Sequence, residues 1–211
     1  KLKSSLLILA MSLSSVANAT IIYSNDFSGG TAPNFTGANT VTTAPDGESY
    51  LGHLNGGATA NLDLTGLAAH SSLTLEFDVI GLRSLDGTTS GDNFQLFFDG
   101  SSIFQDFFGH SAGFLVGPTT GTLVEHDQTA FGWGHYYGGA STYTYSLEFA
   151  HSDSDVSFGF RGNTDQGWND EASAIDNVKV SINSTDVPEP STLAVFSIGL
   201  YGLFSRKSNK C

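Results

Sequence analysis

The chain has 211 residues, a net charge of −13 and a single cysteine, Cys211. Residues 20–186 hold 20 of the 21 acidic residues and three of the eight basic ones, so this segment alone carries −17. A segment this acidic repels nucleic-acid phosphates, and we expect no nucleic-acid partner. Because the segment has no cysteine, it must fold without disulfides, and a metal ion could replace them as a stabilising link.

The first 19 residues have the three parts of a secretory signal peptide. Lys1 and Lys3 provide a positive start, and residues 6–16 are apolar. Ala17 and Ala19 form a small-x-small cleavage site, and the apolar stretch is too short for a permanent membrane anchor. We therefore predict export, with cleavage after Ala19.

The segment that follows alternates apolar and polar residues in short runs, without a sustained helical period. A period of two is typical of strands with one buried face. Asp99-Gly100-Ser101 predicts a hairpin turn between two such runs. The pattern favours an antiparallel β-sandwich of the jelly-roll type. The predicted strands are 21–24, 49–55, 60–65, 73–80, 94–99, 102–108, 143–150, 156–161 and 178–182, with one or two short strands near 121–125.

Glu76 and Asp78 are the one carboxylate pair that suggests catalysis. Residues two apart on a strand point to the same face, and glycoside hydrolysis uses such pairs. The fragment resembles the Glu-x-Asp-x-x-Glu of some jelly-roll glycosidases, but Gly81 stands where the last Glu is required. We interpret the pair as the polar side of a strand and expect no enzyme.

A Gly-rich segment contains the strongest candidates for ligand binding, Trp133, Tyr136 and Tyr137. Sugar rings stack on aromatic faces, so these residues predict a carbohydrate-binding site. The alternative is that the rings cover one end of the sandwich as part of its core. Trp168 presents the same choice, and we expect it to pack beside Asp170.

Acidic side chains near both ends of the predicted sandwich suggest a structural Ca²⁺ site. Asp176 shares its alternation with Val178, so it is expected to face the core at a strand end. A buried carboxylate needs a partner, and Ca²⁺ or backbone N–H groups would supply one. Asp26, after the first strand, is the natural second ligand. The weaker candidates, which could equally be a solvated turn, are Asp165, Asp170 and Glu171.

The C-terminal tail combines a stiff motif, an apolar run and a positive end. Pro188 and Pro190 hold the chain extended. Residues 193–204 carry no charge, and as a helix they would be about 18 Å long, short against a hydrocarbon core of about 30 Å. Arg206 and Lys207 follow and favour a cytoplasmic end. We predict a transient anchor in the inner membrane, the alternative being a buried C-terminal helix.

The tail resembles the PEP-CTERM sorting signal of Gram-negative bacteria. The resemblance covers residues 187–211 and rests on Val187, Pro188, Glu189 and Pro190 followed by the apolar run and basic end. It implies recognition and processing by an exosortase, a membrane enzyme. Such proteins usually come from bacteria that make extracellular polysaccharide.

The central segment resembles concanavalin A-like or galactose-binding-like jelly rolls of carbohydrate-binding modules and adhesion domains. Two short motifs carry this likeness, Asn25-Asp26 after the first strand and Asp176-Asn177-Val178 in the last. In such modules, the aspartate of the last strand helps to hold a structural Ca²⁺ with an acidic residue near the first strand.

Together these features predict a signal peptide over 1–19, a β-sandwich domain over 20–186, and a sorting and anchor segment with a hydrophobic helix over 187–211. The expected function is that of an exported, non-catalytic protein of the cell surface or extracellular matrix that binds polysaccharide. One alternative is a secreted glycoside hydrolase of jelly-roll fold. Another is a structural coat protein without a ligand.

Overall fold

The computed structural model describes residues 18–85, 87, 91–107, 121–127, 130–132 and 139–184. The predicted signal-peptide core, the sorting motif with its hydrophobic helix, and the aromatic residues Trp133, Tyr136 and Tyr137 lie outside these residues. Residues 19–184 form one compact unit. Within the described part of the chain, no helix has the length and apolar character needed to cross a membrane.

The described residues form twelve strands and one turn of 3-10 helix at Ala130–Gly132. Most runs of alternating residues in the sequence correspond to one of these strands, and several strands extend beyond the predicted bounds. The strands are β1 Asn18–Asn25, β2 Phe35–Gly37, β3 Val41–Thr43, β4 Ser49–Leu54, β5 Ala58–Thr65, β6 Ser72–Arg83, β7 Asn93–Phe98, β8 Ser101–Phe107, β9 Thr122–Asp127, β10 Ala140–Ala150, β11 Asp155–Asn163 and β12 Glu171–Ser184.

These strands build two antiparallel sheets packed as a sandwich. One sheet has seven strands in the order β3-β4-β12-β6-β10-β9, with β1 also paired to β12. The other has five strands in the order β2-β5-β11-β7-β8. The all-β jelly-roll fold predicted from the sequence is confirmed.

The core lies between the two sheets and is rich in aromatic rings. Leu75, Phe77 and Val79 of β6 are buried, as their alternation predicts. The ring of Phe77 stacks on Tyr145 at 5.0 Å and meets Phe160 of the opposite sheet edge-on at 5.2 Å. Full burial of one such side chain contributes about 1.5–3 kcal/mol, so this layer is the main source of stability.

The hairpin between β7 and β8 confirms the predicted turn. Asp99 and Gly100 have φ values of 46° and 77°, and Phe98 pairs with Ser101. Positive φ at both turn residues matches the twist of the flanking strands and favours an Asp-Gly sequence. The backbone N–H of Ser157 donates to Asp99 Oδ1 at 2.9 Å and fixes this hairpin beside β11.

A β-bulge in β12 changes which face its residues occupy. The pairing with β6 shifts between Asp176 and Lys179, and Asn177 has a φ of 51°. An extra residue in a strand reverses the alternation beyond it. Ile175 and Val178 therefore both face the core. Asp176 lies mid-strand on the outer face, so the expectation that it faces the core at a strand end is wrong.

Candidate functional site

The outer face of the seven-stranded sheet carries an open groove of about 400 Å³. Its walls come from β6, β10 and β12, from the end of β1 and from Asp26, which follows β1. The lining is rich in carboxylate, amide, hydroxyl and ammonium groups, which can hydrogen-bond a polar ligand. The lining residues are Ser24, Asn25, Asp26, Glu76, Phe77, Asp78, Thr144, Asn177 and Lys179.

Asp78 connects three strands at the centre of this groove. Its Oδ1 accepts a hydrogen bond from the Thr144 hydroxyl at 2.5 Å, and its Oδ2 accepts one from Asn177 Nδ2 at 2.8 Å. Glu76, two residues earlier on the same face, forms an ion pair with Lys179. The two carboxylates that suggested catalysis thus share the groove, and both are held in polar contacts across the sheet.

Asp26 and Asp176 both lie near the groove, and their pKa values shift in opposite directions. Asp26 is fully exposed, and hydrogen bonds from the Ser28 hydroxyl and N–H lower the pKa of its carboxyl. Burial raises the pKa of Asp176 to about 7, with repulsion from Asp78, Asp26 and Glu48 adding to the effect. The two aspartates are close enough to repel each other. A Ca²⁺ ion between them stays a prediction.

Three other carboxylates meet at the point where β12 begins. Ligand oxygens of Asp92, Asp165 and Glu171 lie within 4.8 Å of one another, and in the described ranges no other group of three or more acidic, His or Cys residues does so. Asp92 and Glu171 are buried, whereas Asp165 is exposed. Asp170 points elsewhere, because it accepts from the Ser84 hydroxyl at 2.5 Å.

This acidic cluster unites two of the weaker candidates with a residue that the sequence did not indicate. Asp92 lies about 70 positions before Asp165, in front of β7, and only the pairing of β7 with β11 brings the two together. The backbone N–H of Asp165 donates to Asp92 Oδ1 at 3.4 Å, which links the two loops. The geometry of this acidic cluster suits a cation such as Ca²⁺, and binding of that ion remains a prediction.

A second apolar cluster covers the other part of the same outer face. Ile80 and Leu82 continue the outward-facing row of β6 and pack with Tyr50 and Phe131. The rings of Tyr50 and Phe131 meet edge-on at 5.6 Å. A side chain at Gly132 would meet Pro45 at 3.1 Å, so this chain segment is held closely against its neighbour.

Both described flanks of the aromatic segment 133–138 are fixed at this cluster. Phe131 is buried in it, and the carbonyl of Gly139 accepts a hydrogen bond from the Arg83 N–H at 3.1 Å. Trp133, Tyr136 and Tyr137 themselves lie outside the described residues. Their role in binding carbohydrate stays a prediction.

Trp168 is an exposed aromatic side chain beside the second cluster. It is 45% exposed and stacks on His53 with 4.8 Å between ring centroids. The guanidinium of Arg83 lies 5.8 Å from the indole centroid. Burial and the charge of Arg83 lower the pKa of His53 to about 4, so a neutral imidazole supports the indole at pH 7. The contacts that the structure gives for the indole are with His53 and Arg83, and packing of Trp168 beside Asp170 stays a prediction.

His53 also links Trp168 to the buried part of the outer face. Its Nε2 lies 3.1 Å from the Tyr50 hydroxyl, and Tyr50 belongs to the second cluster. Arg83 donates from Nη1 to the carbonyl of Asn169 at 3.0 Å, which fixes the loop that carries Trp168. The indole is therefore held in place while almost half of its surface stays open to solvent.

Comparison with known protein families assigns the C-terminal tail. Residues 186–208 match the PEP-CTERM protein-sorting motif, which confirms the resemblance seen in Val187, Pro188, Glu189 and Pro190. The motif indicates export with C-terminal anchoring or processing and implies that an exosortase handles the chain. No curated protein matches the sequence.

Several solved structures are similar to this chain. Latent PorU from Porphyromonas gingivalis has 12% identity and a TM-score of 0.43, covering 84% of this chain and 14% of its own. The K3 cleaved adhesin domain of Lys-gingipain, also from P. gingivalis, has 16% identity and a TM-score of 0.45. The match covers 77% of this chain and 99% of the adhesin domain. A family 35 carbohydrate-binding module from Clostridium thermocellum has 12% identity and a TM-score of 0.39. The match covers 77% of this chain and 99% of the module. This chain thus corresponds to a small part of PorU and to nearly all of the two single-domain structures.

Proposed function

We propose that the chain is a non-catalytic protein of the cell surface or extracellular matrix of a Gram-negative bacterium, and that it binds exopolysaccharide. The observation that carries this proposal is the exposed Trp168, held by His53 and Arg83 beside the outer face that also contains the polar groove. An exported protein sorted to the surface of such a cell meets polysaccharide as a main component of its surroundings, including biofilm.

The chemistry of the outer face suits a sugar chain. An indole face stacks on the apolar side of a sugar ring, and carboxylate, amide and hydroxyl groups bond its hydroxyls. Asp78, Thr144 and Asn177 provide such groups within one groove. Trp133, Tyr136 and Tyr137, which lie outside the described residues, stay further candidates for stacking on sugar rings.

The negative charge of the β-sandwich domain favours a neutral polysaccharide as the ligand. Residues 20–186 carry −17, and Lys179, the basic residue that lines the groove, is already paired with Glu76. An anionic glycan would be repelled over the whole surface. We therefore infer that uncharged glycans bind more tightly than uronate-containing or sulfated ones of the same length.

Affinity electrophoresis tests this proposal. The purified chain is run through gels that each contain one neutral or one anionic polysaccharide. Trp168→Ala should weaken binding about tenfold without loss of fold, since one stacking residue contributes on the order of 1–2 kcal/mol. The matched control is Ile103→Ala, which removes a 41% exposed side chain from β8 in the other sheet. Absence of binding to every polysaccharide, with and without Ca²⁺, would reject the proposal.

A secreted glycoside hydrolase is the second candidate. It is favoured by the three carboxylates of Asp26, Glu76 and Asp78, which line one groove. Glycoside hydrolysis needs a general acid and a second carboxylate on the two sides of the bond to be cleaved. The contacts of Asp78 with two neighbouring strands and of Glu76 with Lys179 make a structural role the better interpretation.

A further inference from the structure

Two histidines that the groove does not use meet between two loops. His70 lies between β5 and β6, and His151 lies between β10 and β11. Nε2 of His70 is 2.8 Å from Nδ1 of His151, and the rings are nearly parallel with centroids 5.1 Å apart. The side chain of His151 is only 5% exposed. Whether a proton or a cation holds these two nitrogens together depends on which ring nitrogens are protonated.

The proton on His70 is fixed by its other ring nitrogen. Nδ1 of His70 lies 2.7 Å from the carbonyl oxygen of Ala68. A carbonyl oxygen only accepts hydrogen bonds, so Nδ1 must carry the proton and donate it. A neutral His70 then presents a lone pair at Nε2, directed at His151.

The outer nitrogen of His151 faces a carboxylate. Nε2 of His151 lies 3.8 Å from Oδ2 of Asp99, and it has no hydrogen-bond partner among the described residues. A lone pair at this buried position would be repelled by the carboxylate and left without a donor, whereas an N–H would be attracted. With its proton on Nε2, facing Asp99, a neutral His151 presents a lone pair at Nδ1.

In these tautomers both facing nitrogens are acceptors, so the 2.8 Å contact is held either by a proton on one of them or by a bound cation. We propose that His70 and His151 bind a divalent transition-metal ion, with Zn²⁺ as the physiological ion. Zinc is bound by imidazole nitrogens at about 2.0–2.1 Å, which places two ligands of a tetrahedral site roughly 3.3 Å apart. To reach this geometry, the two nitrogens must separate by about half an ångström and the rings must turn until both lone pairs point at one ion.

The surroundings of both rings match those of metal-bound histidines. Such histidines usually donate their second N–H to a carboxylate or a backbone carbonyl, which sets the tautomer and the ring orientation. Ala68 supplies the carbonyl to His70, and Asp99 supplies the carboxylate to His151. Asp99 is thus a positioning residue rather than a ligand, and water completes the coordination.

The bound ion would link parts of the chain that are far apart in sequence. The two histidines are 81 residues apart, and Asp99 belongs to a third segment, the hairpin between β7 and β8. Residues 20–186 contain no cysteine. A metal link of this kind would stabilise the β-sandwich domain as a disulfide stabilises other exported domains.

Calorimetric titration of the metal-stripped full chain with Zn²⁺ tests the proposal. The wild type should bind Zn²⁺ and gain thermal stability, and His70→Ala and His151→Ala should each lower the stoichiometry by one site or the affinity at least tenfold. Asp153→Asn, which changes an exposed carboxylate in the same loop as His151, should bind like the wild type. Asp99→Asn should weaken binding several-fold while far-ultraviolet circular dichroism stays unchanged.

Two outcomes would overturn the proposal. One is a wild type that binds no Zn²⁺, which would mean that only a proton lies between the rings. The other is Zn²⁺ binding that both histidine variants leave unchanged. Because His151 is buried, His70→Gln serves as the decisive variant should His151→Ala not fold. Electron paramagnetic resonance with Cu²⁺ should then report loss of nitrogen ligands in His70→Gln.

Discussion

Asp78 and Asp176 stand opposite each other as register partners on β6 and β12, at the point where the β-bulge begins. Asp78 accepts hydrogen bonds on both carboxylate oxygens, one of them from Asn177 in the bulge. Asp176 is bonded by the N–H of Asn177 at 2.7 Å, and burial still raises its pKa to about 7. The bulge thus places two carboxylates side by side, and the carboxylate of Asp176 is the one with the raised pKa.

Asp176→Asn should stabilise the protein above pH 7. The folded-state pKa is near 7 against an ordinary value of 3.8. The wild type therefore loses stability as the pH rises from 3.8 to 7, because the folded chain keeps a proton that the unfolded chain has released. Asparagine cannot ionise, so the variant avoids this loss. Since the side chain is partly exposed, we expect a gain of about 1 kcal/mol at pH 8.

Urea unfolding in EGTA at pH 5 and pH 8 measures this effect. The gain should be clearly larger at pH 8 than at pH 5. Asp63→Asn is the matched control, because Asp63 is an exposed carboxylate on β5 of the other sheet. A variant that is less stable than the wild type at pH 8 would contradict the raised pKa.

The sequence was sufficient to predict the fold because most of the strands follow strict alternation. Phe77 and its neighbours show one buried face, and Asp99-Gly100 has the residue types that a tight hairpin requires. The bulge at Asp176 could not be read from the alternation, because the residues on both sides of it are apolar. An asparagine at 177, a residue that tolerates positive φ, was the one local signal for it.

The candidate site was less predictable, since it depends on contacts between distant segments. Asp92 joins Asp165 and Glu171 only through the pairing of β7 with β11. The support that His53 and Arg83 give to Trp168 likewise joins three separate loops and strands. Residue types identify such chemistry in a sequence, but they do not identify which of the candidates meet.

Gly162→Ala should destabilise the protein by about 1–3 kcal/mol, the usual cost of an overpacked position. Gly162 is buried in β11, and a methyl group there would lie 2.8 Å from Leu54 Cβ and closer still to the Leu54 carbonyl oxygen. Backbone cannot move aside easily, so the sheets would be pushed apart. Chemical unfolding measures the loss, and Gly167→Ala, with nothing within 4 Å, should cost almost nothing. Equal effects of the two substitutions would contradict this packing.

Ca²⁺ should raise the melting temperature relative to EGTA if either acidic site is occupied. A tightly bound ion contributes several kcal/mol, so the shift should exceed about 2 °C. Asp165→Asn should abolish the shift if the ion lies in the Asp92 cluster, and Asp26→Asn should abolish it if the ion lies beside Asp176. Equal melting temperatures of the wild type in Ca²⁺ and EGTA would reject a structural Ca²⁺ site.

Glu76→Gln separates the binding protein from the hydrolase. The non-catalytic proposal predicts no release of reducing sugar from matrix polysaccharide by the wild type, and the same result for the variant. Loss of the ion pair with Lys179, which is exposed on the sheet, should change stability by less than about 1 kcal/mol. Sugar release that the wild type shows and Glu76→Gln lacks would instead establish the hydrolase.

Glu189→Ala should leave the sorting tail unprocessed. In the sequence the Pro-Glu-Pro motif precedes the apolar run closely, so we expect a processing enzyme in the membrane to recognise it near the bilayer surface. In the producing bacterium, the variant should accumulate in the inner membrane with its full tail mass, whereas the wild type should reach the surface. Asn209→Ala, which lies outside the matched residues 186–208, is the control and should behave like the wild type. Membrane fractionation with intact-mass measurement distinguishes the two forms, and a variant that reaches the surface with a shortened tail would show that Glu189 is not needed for recognition.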